Sequence, residues 1–209
     1  MRHTAEVDLV DRWPLPAGTD ERDALLAAYA DPARGYHDTR HLTEVLDRLD
    51  ELADAGEPFD RRTVALAAWF HDGVHDGAPD DEERSAAWAE DALRGLVPDD
   101  VVADVARLVR MTAEHRPDDA DADGCALSDA DLAILAADEA RYADYVATVR
   151  QEYAQVPDAA FRSGRATVLQ ALADKPHLFH TSHARAHWEP AARANLAVEL
   201  RALSPGGPT

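Results

Sequence analysis

The chain has 209 residues, with 41 Asp and Glu against 21 Lys and Arg, for a net charge of −20. That length suits one domain or a domain with a short extension, and so acidic a surface repels nucleic-acid backbones and anionic membranes. A single cysteine, Cys125, excludes an internal disulfide.

Hydrophobic residues make up 46% of the chain, swollen by Ala, which favours helices. Val, Ile, Thr and the aromatic residues form no alternating runs, so strands are not expected. Nearly all the basic residues are Arg, and Lys175 is the only lysine. The first residues carry no apolar leader, and no run reaches membrane-spanning length. The expectation is therefore a cytoplasmic protein.

Residues 1–20, with Pro14, Pro16 and Gly18, read as an N-terminal arm. A single all-helical domain is expected over 21–203. Its first helix covers about 20–31 and breaks at Asp31-Pro32. A long helix over about 37–55 places Leu42, Val45, Leu46, Leu49 and Leu52 at helical spacing. Gly56 and Pro58 end it. The helix over about 60–72 is apolar nearly all round, through Val64, Leu66, Ala67, Ala68, Trp69 and Phe70, and so belongs at the centre.

Further helices are expected at about 81–95 and 99–115, the latter with Val101, Val105, Leu108 and Thr112 on one stripe. The acidic stretch 116–126 reads as a solvated loop. Ser128 then reads as an N-cap, with Asp129 and Asp131 in the first turn, where carboxylates are favoured. Helices follow over about 129–155, 158–174 and 186–203, and the tail 204–209 is expected to be disordered. The histidines at 177, 180, 183 and 187 read as part of a polar loop.

The chemistry concentrates in His71-Asp72, at the end of the most apolar helix. His41 lies at one end of the inward stripe of its own helix, and Asp131 opens a third helix with Leu135 at i+4. Two imidazoles and two carboxylates from three helices are the donors that a catalytic divalent cation requires. His37, one turn before His41, rivals it as a ligand. Taken singly, a buried His is usually a hydrogen-bonded core residue and an Asp at a helix start usually a cap. Four such positions on three helical patterns are harder to place by chance, and a buried charge needs a partner.

Four blocks carry a family resemblance: Gly-Tyr-His-Asp-Thr-Arg-His-Leu (35–42), Ala-Ala-Trp-Phe-His-Asp-Gly-Val (67–74), Asp-Glu-Glu-Arg-Ser-Ala (81–86) and Leu-Ser-Asp-Ala-Asp-Leu-Ala-Ile-Leu (127–135). In this order they resemble a branch of the HD superfamily described as predicted metal-dependent phosphohydrolases. Val-Arg-Gln-Glu-Tyr (149–153), Gly-Arg-Ala-Thr-Val-Leu (164–169) and Ala-Arg-Ala-Asn-Leu (192–196) extend the likeness from about Tyr29 to Leu203.

The resemblance implies an all-α, HD-domain-like helical bundle with a metal site between its central helices. It implies His41, His71, Asp72 and Asp131 as metal ligands, Asp131 being preferred to Asp129 on the family pattern. It also implies an acidic residue near the metal water, Glu83 first and Glu82 next. Asp72 is the other candidate to orient or deprotonate that water.

His115 ends the 101–112 stripe. It reads either as a substrate-contacting or proton-donating residue or as a partly buried helix-terminal His. His75 could join a second metal. Arg84, Arg150 and Arg165 are phosphate-binding candidates, because guanidinium forks suit phosphate; a structural salt bridge is the plainer role for each.

The expected function is hydrolysis of a small phosphate ester, nucleotides included, by water activated on a divalent ion (Mn, Mg, Co, Ni, Zn or Fe). The expected partner is that phosphorylated substrate, with no nucleic-acid polymer and no membrane; a homodimer is left open. The alternatives are an HD-type di-iron oxygenase, which would need both His75 and His115, and a non-catalytic metal- or nucleotide-binding module.

Overall fold

The computed structural model describes residues 9–204; the start of the arm and positions 205–209 of the expected tail lie outside the described residues. The described chain is helical, with no strand among its residues. In chain order the elements are α1 (Thr19–Tyr29), α2 (Thr39–Asp54), α3 (Arg61–Phe70), α4 (Asp81–Leu93), α5 (Asp99–Met111), α6 (Ala122–Leu132), a 3-10 turn (Ala133–Ala136), α7 (Glu139–Glu152), α8 (Asp158–Ala173), α9 (Ser182–His187) and α10 (Glu189–Leu203).

Helix α3 sits at the centre, as its all-round apolar sequence requires. From Val64 to Phe70 only Ala65 is not fully buried, and α3 packs against α2, α4, α5 and α6. The N-terminal segment joins this core: Leu9, Trp13 and Leu15 are buried. The Trp13 ring meets Trp69 edge-on, with centroids 5.1 Å apart. An edge-to-face aromatic pair of this kind is worth about 1 kcal/mol beyond its buried area.

Short acidic side chains start several helices by accepting the free N–H groups of a first turn. Asp38 accepts from Arg40 and His41, Asp60 from Thr63, and Asp138 from Ala140 and Arg141. The cap at Asp38 sets where His41 falls on α2.

Three expectations need correction. Helix α6 begins within the stretch expected to be a loop, at Ala122, because the Asp121 side chain accepts from Gly124 N–H. Ser128 is therefore a buried mid-helix residue, and Asp131 lies near the C-terminal end of α6. Next, the expected helix over 129–155 breaks into α6, the 3-10 turn and α7, since Ala137 is extended and Asp138 caps a new start. Finally, the segment expected to be a polar loop before 186 carries the fully buried Leu178, Phe179 and Ala184, and α9 lies within it. Its histidines are polar, but the apolar residues between them anchor it.

Candidate metal centre

Three segments deliver the donors. His41 comes from the first turn of α2, His71 and Asp72 from the end of α3, and Asp131 from the end of α6. His41 Nε2 lies 3.1 Å from His71 Nε2, 3.2 Å from Asp72 Oδ2 and 3.2 Å from Asp131 Oδ1. His71 Nε2 lies 3.1 Å from Asp72 Oδ2 and 3.6 Å from Asp131 Oδ1.

Those separations have a simple reading. Donors about 2.1 Å from a shared ion sit about 3.0 Å apart at right angles and about 3.4 Å apart at the tetrahedral angle. All five measured separations fall in or close to that range. His71 Nδ1 lies 2.7 Å from the Ala68 carbonyl, so Nδ1 donates a proton there and Nε2 is the nitrogen turned inward, as in a metal-ligating imidazole.

The charges tell the same story. Asp72 Oδ2 is buried and makes no aligned hydrogen bond, although both imidazoles are close. Burial would raise the pKa of each carboxyl, but His71 and its neighbours hold Asp72 well below the usual range, and His71 and His41 do the same for Asp131. For His41, burial pulls the pKa down, yet the Asp131 and Asp72 carboxylates, each 3.2 Å away, lift it to about 9. His71 is raised well above its usual value, the Asp72 charge outweighing burial. In the absence of a cation, protons must hold the four groups together. At the C-terminal end of α6 the helix dipole opposes the Asp131 charge, so its ionisation depends on those neighbours. His41, His71 and Asp131 are placed to hold one metal ion, with Asp72 beside them.

Supporting groups fix this corner. Arg34 donates to the carbonyls of Asp72 (2.7 Å), Gly73 (2.9 Å) and His37 (3.1 Å). Its guanidinium also lies over the Tyr29 ring, and the Tyr29 hydroxyl accepts from Asp72 N–H. Nothing in local sequence singles out Arg34, because Asp72 and Gly73, its partners at the centre, lie 38 and 39 residues downstream.

His115 enters the site in the turn after α5. Its φ of 49° is the only positive value among the described non-glycine residues, a strain that persists only where the surroundings impose it. Its Nδ1 meets Ser128 Oγ at 3.2 Å, its Nε2 lies 3.5 Å from Asp131 Oδ2, and its carbonyl accepts from Lys175 Nζ. Burial lowers its pKa against the pull of Asp131, so the ring is neutral near pH 7. A cavity of about 450 Å³ opens from here, lined by His37, Asp72, His75, Glu82, His115, Arg116, Asp131, Arg165 and Lys175 among others. A second cavity of about 380 Å³ reaches His41 and Asp131 from the side of Glu44 and Arg141.

The other expected residues are distributed as follows. Asp129 is fully buried and accepts from the backbone N–H groups of His180 and Thr181, which leaves Asp131 as the acidic residue at the centre. His37 pairs with Glu152, and His41 is the residue in the centre. Glu83 is not brought to the cavity; both its oxygens bind Arg110 on the outer side of α4 and α5, and Glu82 lines the cavity in its place.

Arg84 pairs with Asp76 and Asp81. Arg150 donates to the carbonyls of Tyr153 and Val156 and covers the Phe161 ring. Arg165 does line the cavity, but Glu199 holds it at 2.8 and 3.2 Å. The cationic groups that sequence reading missed are Arg116 and Lys175. The four C-terminal histidines do not join the centre; His183, for example, binds Glu51 at 2.9 Å.

No family model, no curated protein and no solved structure matches this chain. Among the described residues, no helix is long and apolar enough to cross a membrane.

Proposed function

We propose that this protein is a metal-dependent phosphohydrolase of the HD type, acting on a small phosphate ester, nucleotides among the candidates. The observation that carries this reading is the convergence of His41, His71, Asp72 and Asp131, with Asp72 Oδ2 buried and lacking an aligned partner. A divalent ion held there would polarise a phosphoryl oxygen and lower the pKa of a water toward ~7.

The remaining roles fall to the chain. Asp72, beside the ion, would orient that water. His115, neutral and held by Ser128, presents its second nitrogen toward Asp131 at the cavity wall. Hydrolysis joins phosphorus to the water oxygen and breaks the ester P–O bond, and the proton ends on the departing alcohol. Lys175 and Arg116 supply positive charge at the cavity of a strongly acidic protein, which favours an anionic ester there over the general surface. Arg165 contributes less, because Glu199 already neutralises it.

The test is a panel of phosphate esters, p-nitrophenyl phosphate and nucleoside monophosphates included, run with Mn, Mg, Co, Ni, Zn and Fe(II). The expected result is metal-dependent turnover that Asp72→Ala abolishes while the helical circular dichroism is unchanged. Equal turnover in Asp72→Ala at equal metal content would refute the assignment, and no turnover with any ion would favour a binding module.

A further inference from the structure

A second cluster of metal-ligating side chains reaches the same cavity through His37 and His75 and shares no residue with the first. His37, His75 and Glu152 each bring one donor atom within 4.8 Å of the others. They come from the loop before α2, the loop after Asp72 and the last turn of α7. His37 Nδ1 is 2.9 Å from Glu152 Oε2, and His75 Nε2 is 3.9 Å from Glu152 Oε1. The two imidazole rings lie nearly face to face, with centroids 3.9 Å apart and planes 34° apart.

Glu152 is a rigid donor. Its Oε1 accepts the backbone N–H groups of Gly35, Tyr36 and His37 at 3.0, 2.9 and 3.0 Å. Three donors exhaust that oxygen, which leaves Oε2 to face His37. Gly35 permits the close approach, since a Cβ there would run into the Thr148 carbonyl and lie 2.7 Å from Glu152 Cγ.

The hydrogen bond between His37 and Glu152 accounts for two members of the cluster and leaves the His75 side chain without one. Its nearest acceptor stands beyond hydrogen-bond reach and is already filled. Burial and the neighbouring His37 both favour its neutral form, with a free lone pair. The His75 side chain is 17% exposed at the cavity wall, where an incoming ion can reach it.

We propose that His37, His75 and Glu152 form a second site, for a divalent transition-metal cation such as Zn²⁺ or Mn²⁺. Two imidazoles and one carboxylate make a donor set that leaves a position open for water. The cation takes the place of the proton between His37 Nδ1 and Glu152 Oε2, and that proton passes to solvent. His37 and His75 line the cavity that Asp72 and Asp131 also line, so one phosphate group there has both centres on its wall. That shared use rests on the proposed hydrolytic function; the ion site itself does not.

The experiment counts ions. The full chain and its variants are dialysed against Zn²⁺ or Mn²⁺, and bound metal per folded chain is measured by mass spectrometry with circular dichroism as the control. Wild type is expected to bind two ions. His75→Ala, which removes no hydrogen bond, should lower the affinity of one of them at least ~10-fold; Glu152→Gln should do the same. Asp131→Asn should lose the other ion and keep the one that depends on His75.

A single ion in wild type, lost in Asp131→Asn and kept in His75→Ala, would overturn the second site and leave the first centre standing. A single ion with the opposite dependence would support the second site and remove the first. Two ions unaffected by His75→Ala would overturn the proposal, and no bound ion at all would overturn both centres.

Discussion

The Nε2 atoms of His41 and His71 face each other across 3.1 Å in a fully buried space. His71 Nδ1 is committed to the Ala68 carbonyl, so the inward nitrogen of His71 is a lone pair unless the ring is charged. Two inward lone pairs at that distance repel. A proton or a cation must lie between them, and Asp72 and Asp131 supply the matching negative charge.

Metal removal should therefore cost stability. A ligand at 100 times its Kd stabilises by ~2.7 kcal/mol. For a chain of this size each kcal/mol is worth roughly 2–4 °C, so chelation should lower Tm by roughly 5–10 °C. Thermal unfolding with and without EDTA measures this. Asp131→Asn should show no metal-dependent shift from this centre, and an equal shift in that variant would place the bound ion elsewhere.

The metal-free protein should lose stability as pH rises. His41 titrates near 9 when folded, against about 6.5 when unfolded. A raised folded pKa stabilises fully below 6.5 and fades as pH climbs through 9. The matched carboxylates, held low, withdraw the same interaction as pH falls below the usual Asp range. Metal affinity should move the other way over pH 6.5 to 9, because protons compete for the same nitrogens. Urea unfolding of the chelated protein at pH 6, 7.5 and 9, beside metal titrations at the same values, checks both signs.

Arg34→Ala should loosen the centre without touching a ligand. It removes donors from the Asp72, Gly73 and His37 carbonyls together. Hydrogen bonds from a charged group are worth about 1.5–3 kcal/mol each, though not additively, so a loss of about 3 kcal/mol is expected. Metal affinity should fall as well. Arg34→Lys, which lacks the planar fork, should restore only part of both. Unchanged stability in Arg34→Ala would show that these loops hold themselves.

Two glycines make a contrasting pair. Gly35→Ala drives a methyl into the Thr148 carbonyl and Glu152, a cost of about 1–3 kcal/mol. Gly164 lies inside α8 with nothing within 4 Å of an added Cβ, so Gly164→Ala should stabilise by about 0.5–1 kcal/mol. Denaturant midpoints for the two variants should move in opposite directions.

Local pattern sufficed for much of this. The apolar run Val64–Phe70 could only be central, and the stripe Leu42, Val45, Leu46, Leu49 and Leu52 could only face inward; all are buried except for Ala65. The ligand types were readable because burying His71 and Asp72 beside Phe70 demands a partner. Helix ends were less readable. The cap at Asp121 is hidden among other acids, and Asp131 looked like a helix start because its apolar neighbours follow it.

Composition and periodicity, then, determined that the chain is helical, which helix lies innermost, and that His71 and Asp72 end that helix; the full set His41, His71, Asp72 and Asp131 was implied by the family resemblance. Only the tertiary structure placed His41 and Asp131 beside His71, with His37 turned to Glu152 and Asp129 to the His180 and Thr181 amides, since each placement depends on which partner lies across the fold. It also moved Glu83 out to Arg110 and brought in Arg34 and Lys175. Those roles come from contacts between residues far apart in the chain, and such contacts leave no periodic trace in a sequence.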